Sequence, residues 1–203
     1  MRARDNPFKV QRVHSLAYRL EGTSWEALLE RLDALRFRAA LVGPHGHGKS
    51  TLLKEIAARL EARGLGVRKV LLHEGERWLT REQRRTLLQG VTPRDLLLLD
   101  GAEQLCRPAW LDLQWRSRRA AGLLVTSHRP GLLPTLHECR TGPALLAALV
   151  GELLGRKGEE IQAGDLLSRH RGNVRDALAE LYDLHAACFA GSSRYLISSP
   201  ENR

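Results

Sequence analysis

Residues 43–51 read GPHGHGKST, and no other stretch of this 203-residue chain constrains the fold as strongly. The run fits G-x-x-x-x-G-K-[ST], the pattern of a phosphate-binding loop. Gly43, Gly46 and Gly48 permit backbone angles that a Cβ would forbid, so successive N–H groups can turn inward around a polyphosphate. In such a loop Lys49 reaches the β- and γ-phosphates and the Ser50 hydroxyl ligates Mg²⁺. Pro44, His45, His47 and Thr51 complete the candidate nucleotide-binding set.

The flanks agree with the motif. Residues 37–42, FRAALV, form a short and mostly apolar run suited to a buried strand. Past the loop, Leu52, Leu53, Ile56, Ala57 and Leu60 recur at helical spacing, and Gly64 marks a stop. The motif thus sits at a strand–loop–helix junction, where a helix N-terminus adds its own attraction for anions.

Further along, an amphipathic helix is expected over residues 25–35, with Ser24 as its N-cap. Strands are expected at 67–72, 96–99, 122–127 and 135–139, with helices at 74–90 and 110–119 between them. Strands alternating with helices imply a parallel sheet. From residue 142 onward only helical patterns occur, over 143–155, 159–169 and 173–189. The expected fold class is therefore α/β, a parallel sheet of about five strands flanked by helices, plus a small C-terminal helical lid. The corresponding divisions are an arm at 1–24, a nucleotide-binding core at 25–141, the lid at 142–190 and a disordered polar tail at 191–203.

A phosphate loop needs a carboxylate to organise Mg²⁺, at the end of a nearby buried strand. Residues 96–100, LLLLD, place Asp100 there. Glu103 is the next acid, after Gly101, and is the candidate for orienting an attacking water; the alternative is a local cap or pair. The fourth strand ends in Thr126, Ser127 and His128, and Thr126 or Ser127 is a candidate for holding that water. Histidines 45 and 47 are unusual inside such a loop, but its x positions tolerate many residues, so a metal role is not expected; His137 and Cys139 share a face if 135–139 is a strand, yet lack the further ligands of a zinc site.

Together these features resemble the AAA+ branch of the ASCE-type P-loop NTPases. A further match is GNVRDAL at 172–178, similar to the lid motif of origin-recognition and helicase-loader members. There an Arg reaches from lid to γ-phosphate, which makes Arg175 the candidate sensor here; pairing with Asp176 or Glu180 is the local alternative. Gly101 departs from the usual Glu, and its Asp-Gly-x-acid run looks more like NACHT signalling ATPases. The segment Asn6-Pro7-Phe8 resembles the stretch that lines an adenine pocket in AAA+ proteins. The resemblance implies ATP and Mg²⁺ as cofactors and slow or partner-stimulated hydrolysis. An arginine finger is not fixed, with Arg129 and Arg140 as candidates.

Composition narrows the setting. The net charge of +9 makes DNA or another nucleic acid a candidate partner, alongside a protein partner or self-association. Cys106, Cys139 and Cys188 lack metal-site spacing, so free thiols in a cytoplasmic protein are expected. No apolar run approaches membrane-spanning length, so no membrane insertion is expected. The leading reading is an ATP-dependent switch or small motor. The competitors are a nucleotide-bound scaffold or signalling switch with little or no hydrolysis, suggested by Gly101, and a small-molecule kinase, which the 172–178 motif disfavours.

Overall fold

A computed structural model describes residues 6–155 and 162–189. Contacts divide the chain into two compact units, one of Ala17–Arg140 and one of Met1–Leu16 with Thr141–Arg203. The segment expected as a single arm at its start is thereby shared between them. The tail at 191–203 lies outside the described residues.

Among the described residues the larger unit holds five strands in the order β2-β3-β4-β1-β5, all parallel. They are β1 (Arg38–Val42), β2 (Gly66–Leu71), β3 (Asp95–Asp100), β4 (Gly122–Ser127) and β5 (Thr135–Glu138). Its helices are α2 (Trp25–Ala34), α3 (Lys49–Glu61), α4 (Arg81–Leu88) and α5 (Arg107–Arg116). The strands alternate between two cores. Ala39, Leu41, Leu96, Leu98 and Leu124 pack with α2 and α3, whereas Ala40, Val42, Leu97, Leu99 and Val125 pack with Leu87, Trp110 and Leu113 of α4 and α5. Burial on both faces is why β3 reads as an unbroken leucine run rather than an alternation. Each of those leucines contributes on the order of 1.5–3 kcal/mol by leaving water.

Two helices differ from expectation. The segment 74–90 is helical only over α4, because Thr80 and Gln83 form a capping box that fixes its start. Upstream of it Gly75 is left-handed (φ 86°), and Trp78 is 55% exposed rather than part of the core. The helix expected at 110–119 begins earlier, at Arg107, where Pro108 suits the first turn, and its last residues tighten into a 3-10 turn, Ser117–Arg119.

The smaller unit contains α1 (Val10–His14), α6 (Pro143–Leu154), α7 (Ala163–Arg169) and α8 (Val174–Phe189). Its core joins Leu146, Val150, Leu166, Ala177 and Leu178 with Phe8, while Asn6 donates to the Tyr182 carbonyl at 2.9 Å. The Asn6-Pro7-Phe8 segment is thus anchored among the helices of this unit. No helix among the described residues is long and apolar enough to cross a membrane.

Candidate nucleotide-binding site

The loop 43–48 leaves the buried end of β1 and runs into the N-terminus of α3. Gly46 (φ 71°) and Gly48 (φ 80°) adopt left-handed backbone, as the motif requires. At Gly43 a Cβ would stand 2.5 Å from the Cys139 carbonyl oxygen, so the close approach of the chain after β5 also demands glycine. Two backbone bonds tie the loop's root to its neighbours: Gly43 N–H donates to the Ser127 carbonyl at 3.1 Å, and Cys139 N–H to the Val42 carbonyl at 2.7 Å.

Lys49 is only 8% exposed, and its Nζ donates to the Gly43 and Pro44 carbonyls at 2.6 and 2.7 Å. The ammonium is thereby held back against the loop it opens from. These carbonyls are replaceable partners for an ammonium, whereas a phosphate oxygen offers a charge-assisted one.

Strand order brings the other oxygens together. Strand β4 lies between β1 and β3, so Thr126, in register with Leu41, stands beside Asp100 at the end of β3. Asp100 is buried, and its Oδ1 accepts from Ser50 Oγ at 3.0 Å and from Thr126 Oγ1 at 2.7 Å. The Thr126 hydroxyl in turn accepts from Gly101 N–H at 2.8 Å. Lys69 Nζ lies 4.0 Å from Asp100 Oδ2. The hydroxyl of Ser50 and the Asp100 carboxylate therefore converge beside the phosphate loop. Two such oxygens fit a hard divalent cation of the Mg²⁺ type, which takes one or two protein oxygens and draws its other ligands from water and phosphates. Among the described residues no group of three or more His, Cys, Asp or Glu side chains is placed to hold a metal alone. The histidines of the loop thus have no metal-ligand set around them.

Gly101 turns the chain with φ 88°, and a Cβ there would lie 2.9 Å from the Leu72 carbonyl oxygen. A 3-10 turn, Ala102–Gln104, follows and carries Glu103 back toward the end of β4. There Glu103 Oε1 lies 3.2 Å from His128 Nε2, while its buried Oε2 has no hydrogen-bond partner among the described residues. The His128 ring packs on His45 of the phosphate loop with centroids 3.8 Å apart. Burial lowers the pKa of His128, Glu103 partly restores it, and Lys49 and His45 lower it further.

Sequence reasoning did not single out Tyr18. Its ring lies where a Cβ on Gly48 would meet it at 3.0 Å, and it stacks edge-on against His137 at 6.1 Å. Its hydroxyl bonds to Cys139; burial first, then Cys139, raises its pKa. A lone tyrosine in an arm-like segment gives no sequence signal for this placement. Cys106 and Cys139 are free thiols.

The residues Lys49, Ser50, Asp100, Glu103 and Thr126 all lie in the larger unit. Arg175 lies in the smaller one, in the first turn of α8, where its N–H donates to Asn173 Oδ1 at 3.0 Å. Its exposed guanidinium has no carboxylate partner among the described residues: Asp176 accepts from Asn173, and Glu180 pairs with Arg169 and His170.

No family model matches the sequence, and no curated protein matches it. Solved structures do match. A single-residue mutant of RuvB from Thermotoga maritima superposes with TM-score 0.58 at 17% identity, covering 84% of this chain and 65% of that one. The Thermotoga maritima RuvB Holliday junction branch migration motor gives TM-score 0.54 at 20% identity, covering 83% and 63%. NtrX from Brucella abortus in complex with ATP gives 0.52 at 15% identity, covering 89% and 53%. The chain spans less than two thirds of the length of each of these three proteins. With its five-stranded parallel sheet and phosphate loop, the chain has an α/β P-loop-type fold like that of the RuvB structures.

Proposed function

We propose that the protein binds Mg·ATP at the 43–51 loop and acts as a nucleotide-dependent switch or small motor, hydrolysing ATP slowly or on stimulation by a partner. The observation that carries this reading is the Asp100 carboxylate accepting from both Ser50 and Thr126, beside a lysine at the start of α3. The fold likeness to RuvB and to NtrX in complex with ATP supports it.

Ser50 and Asp100 would hold Mg²⁺, which supplies charge neutralisation for the phosphates. Lys49 would exchange the Gly43 and Pro44 carbonyls for phosphate oxygens, a stronger charge-assisted bond. Thr126 orients Asp100 and supports Gly101, so its part is positioning. Glu103 would take up the water's proton, with its unpartnered Oε2 as the accepting atom. Arg175, with no carboxylate partner among the described residues, would contact the γ-phosphate and tie the helical unit to nucleotide state. DNA or a DNA-bound partner is the proposed object of that coupling, consistent with the net charge of +9.

A second reading, a nucleotide-bound scaffold with little turnover, is favoured by one observation: Glu103 is already engaged by His128. The two separate on ATP turnover by the wild-type protein beside Lys49→Ala and Glu103→Gln, with and without DNA. Turnover lost in both variants supports the ATPase. Tight ATP binding without turnover in any condition supports the scaffold.

A further inference from the structure

A second charged feature lies at the opposite end of the sheet from the phosphate loop. Arg38 opens β1, and Ala120 and Ala121 lead into β4, so this edge is a strand's length, roughly 16 Å, from the loop after Val42. A cavity of about 450 Å³ opens there, lined by Arg36, Arg38, Arg118 and Gln114 together with the two alanines. No carboxylate lines it, and none of the three guanidinium groups forms an ion pair among the described residues. Arg38 is half-buried and donates to Ser117 Oγ at 3.0 Å; burial, then the nearby Arg118, lowers its pKa.

The position of Arg36 is fixed at a conformational cost. Arg36 and Phe37 both sit in the left-handed region (φ 51° and 54°), an arrangement that costs non-glycine residues energy and needs surrounding structure to hold it. That structure is present: Leu123 N–H donates to the Phe37 carbonyl at 2.8 Å, and Gly122 leaves the space that any Cβ would fill at 2.3 Å from it.

The stretch 114–118 also reaches a larger cavity of about 790 Å³, whose walls include Arg81, Arg84, Arg85 and Arg116 together with Glu82. Asp112 partly neutralises it through Arg116 at 2.7 Å and Arg84 at 3.7 Å. Trp115, next in sequence to Gln114 of one cavity and Arg116 of the other, is 63% exposed, one helical turn after Leu111 at 56%. The Arg116 guanidinium lies 5.9 Å from the Trp115 ring centroid.

We propose that this surface binds single-stranded nucleic acid, with a phosphate seated among Arg36, Arg38 and Arg118 and a base stacked on Trp115. Guanidinium groups without a carboxylate partner among the described residues favour an anion here, and the planar forks of Arg36 and Arg118 match phosphate bidentately, Arg38 being bonded to Ser117. An exposed indole beside the Arg116 guanidinium offers unpaired bases a stacking platform, which a duplex with its bases already stacked cannot use in the same way. The assignment rests on the nucleic-acid part of the reading above and on none of its ATP chemistry.

The test is fluorescence anisotropy of a labelled oligothymidylate with the full chain, without nucleotide, at about 50 and 200 mM salt. Binding should weaken with salt, fall roughly tenfold or more in Arg36→Glu and Arg118→Glu, and fall roughly 5- to 100-fold in Trp115→Ala. These side chains are exposed, so the fold should survive the changes. Lys54→Glu, an exposed change on α3, should leave binding near wild type. No binding at low salt, equal weakening by Lys54→Glu, or equal displacement by polyglutamate or by orthophosphate alone would overturn the proposal. Because nucleotide is absent throughout, a protein that fails to bind or hydrolyse ATP can still pass this test, and the reverse.

Discussion

The Glu103 carboxylate and the His128 imidazole lie 3.2 Å apart at the neighbouring ends of β3 and β4, and His128 packs in turn on His45 of the phosphate loop. Burial is the first cause lowering the His128 pKa and Glu103 opposes it, while the Nε2 atom faces the carboxylate. A residue after β3 is thereby linked to the loop after β1. Under the ATPase reading, Glu103→Gln lowers kcat by about 10²–10⁴ with ATP binding retained. Under the same reading His128 positions that carboxylate, so replacing His128 with Ala should lower kcat far more than it changes KM. Steady-state kinetics of both variants check this; a change in KM alone would remove His128 from the account.

Histidine burial predicts a pH dependence of stability with a definite sign. His47, His128 and His137 all have lowered pKa values, burial being the first cause in each. In the unfolded chain they bind protons below about pH 6.5. Over that range the folded protein holds fewer protons than the unfolded one, so stability rises with pH. The contribution is complete above about pH 6.5 and is lost as pH falls from there through the lower folded values. Urea midpoints at pH 7.5 and 5.5 should show the decrease.

Gly101 is a backbone requirement. Gly101→Ala puts a Cβ 2.9 Å from the Leu72 carbonyl oxygen on a left-handed residue, and should destabilise the protein by about 1–3 kcal/mol. A Glu at this position meets the same obstacle. Thermal unfolding of Gly101→Ala beside an exposed control tests the point.

Thr126 both donates to Asp100 and accepts from Gly101 N–H. Thr126→Val keeps the shape and leaves that part-buried N–H without its acceptor, at a cost of about 1–3 kcal/mol. Thr126→Ser should recover most of the loss, which denaturant unfolding of the two variants measures.

Much of this architecture was legible in the sequence, for local reasons. The glycines of 43–48 and the all-leucine strand before Asp100 each impose a conformation that few others satisfy, and all five strands fall within a residue or so of expectation. The helix expected at 74–90 is shorter, because the Thr80–Gln83 capping box sets its start at Arg81. Tyr18, the stacking of His45 on His128, and the arginine-lined edge depend on contacts distant in sequence, and no spacing rule announces them. Gly101 read as a loss of the usual acid; in three dimensions it is the turn that carries Glu103 to His128.

Arg175 offers a separate check on the coupling between units. As its guanidinium has no carboxylate partner among the described residues, Arg175→Ala should leave folding stability within about 0.5 kcal/mol of wild type. If it senses the γ-phosphate, the same change weakens ATP binding while sparing ADP binding, which parallel titrations resolve.

The central claim is that Lys49, Ser50 and Asp100 form one Mg·ATP site, and calorimetric titration of ATP tests it most directly. With Mg²⁺ the wild-type chain should bind ATP, and Lys49→Ala should lose roughly 10- to 100-fold in affinity as a charge-assisted contact disappears. Asp100→Asn should abolish the difference between titrations with Mg²⁺ and with EDTA. Equal affinity for ATP in wild type, Lys49→Ala and Asp100→Asn, with or without Mg²⁺, would contradict the account.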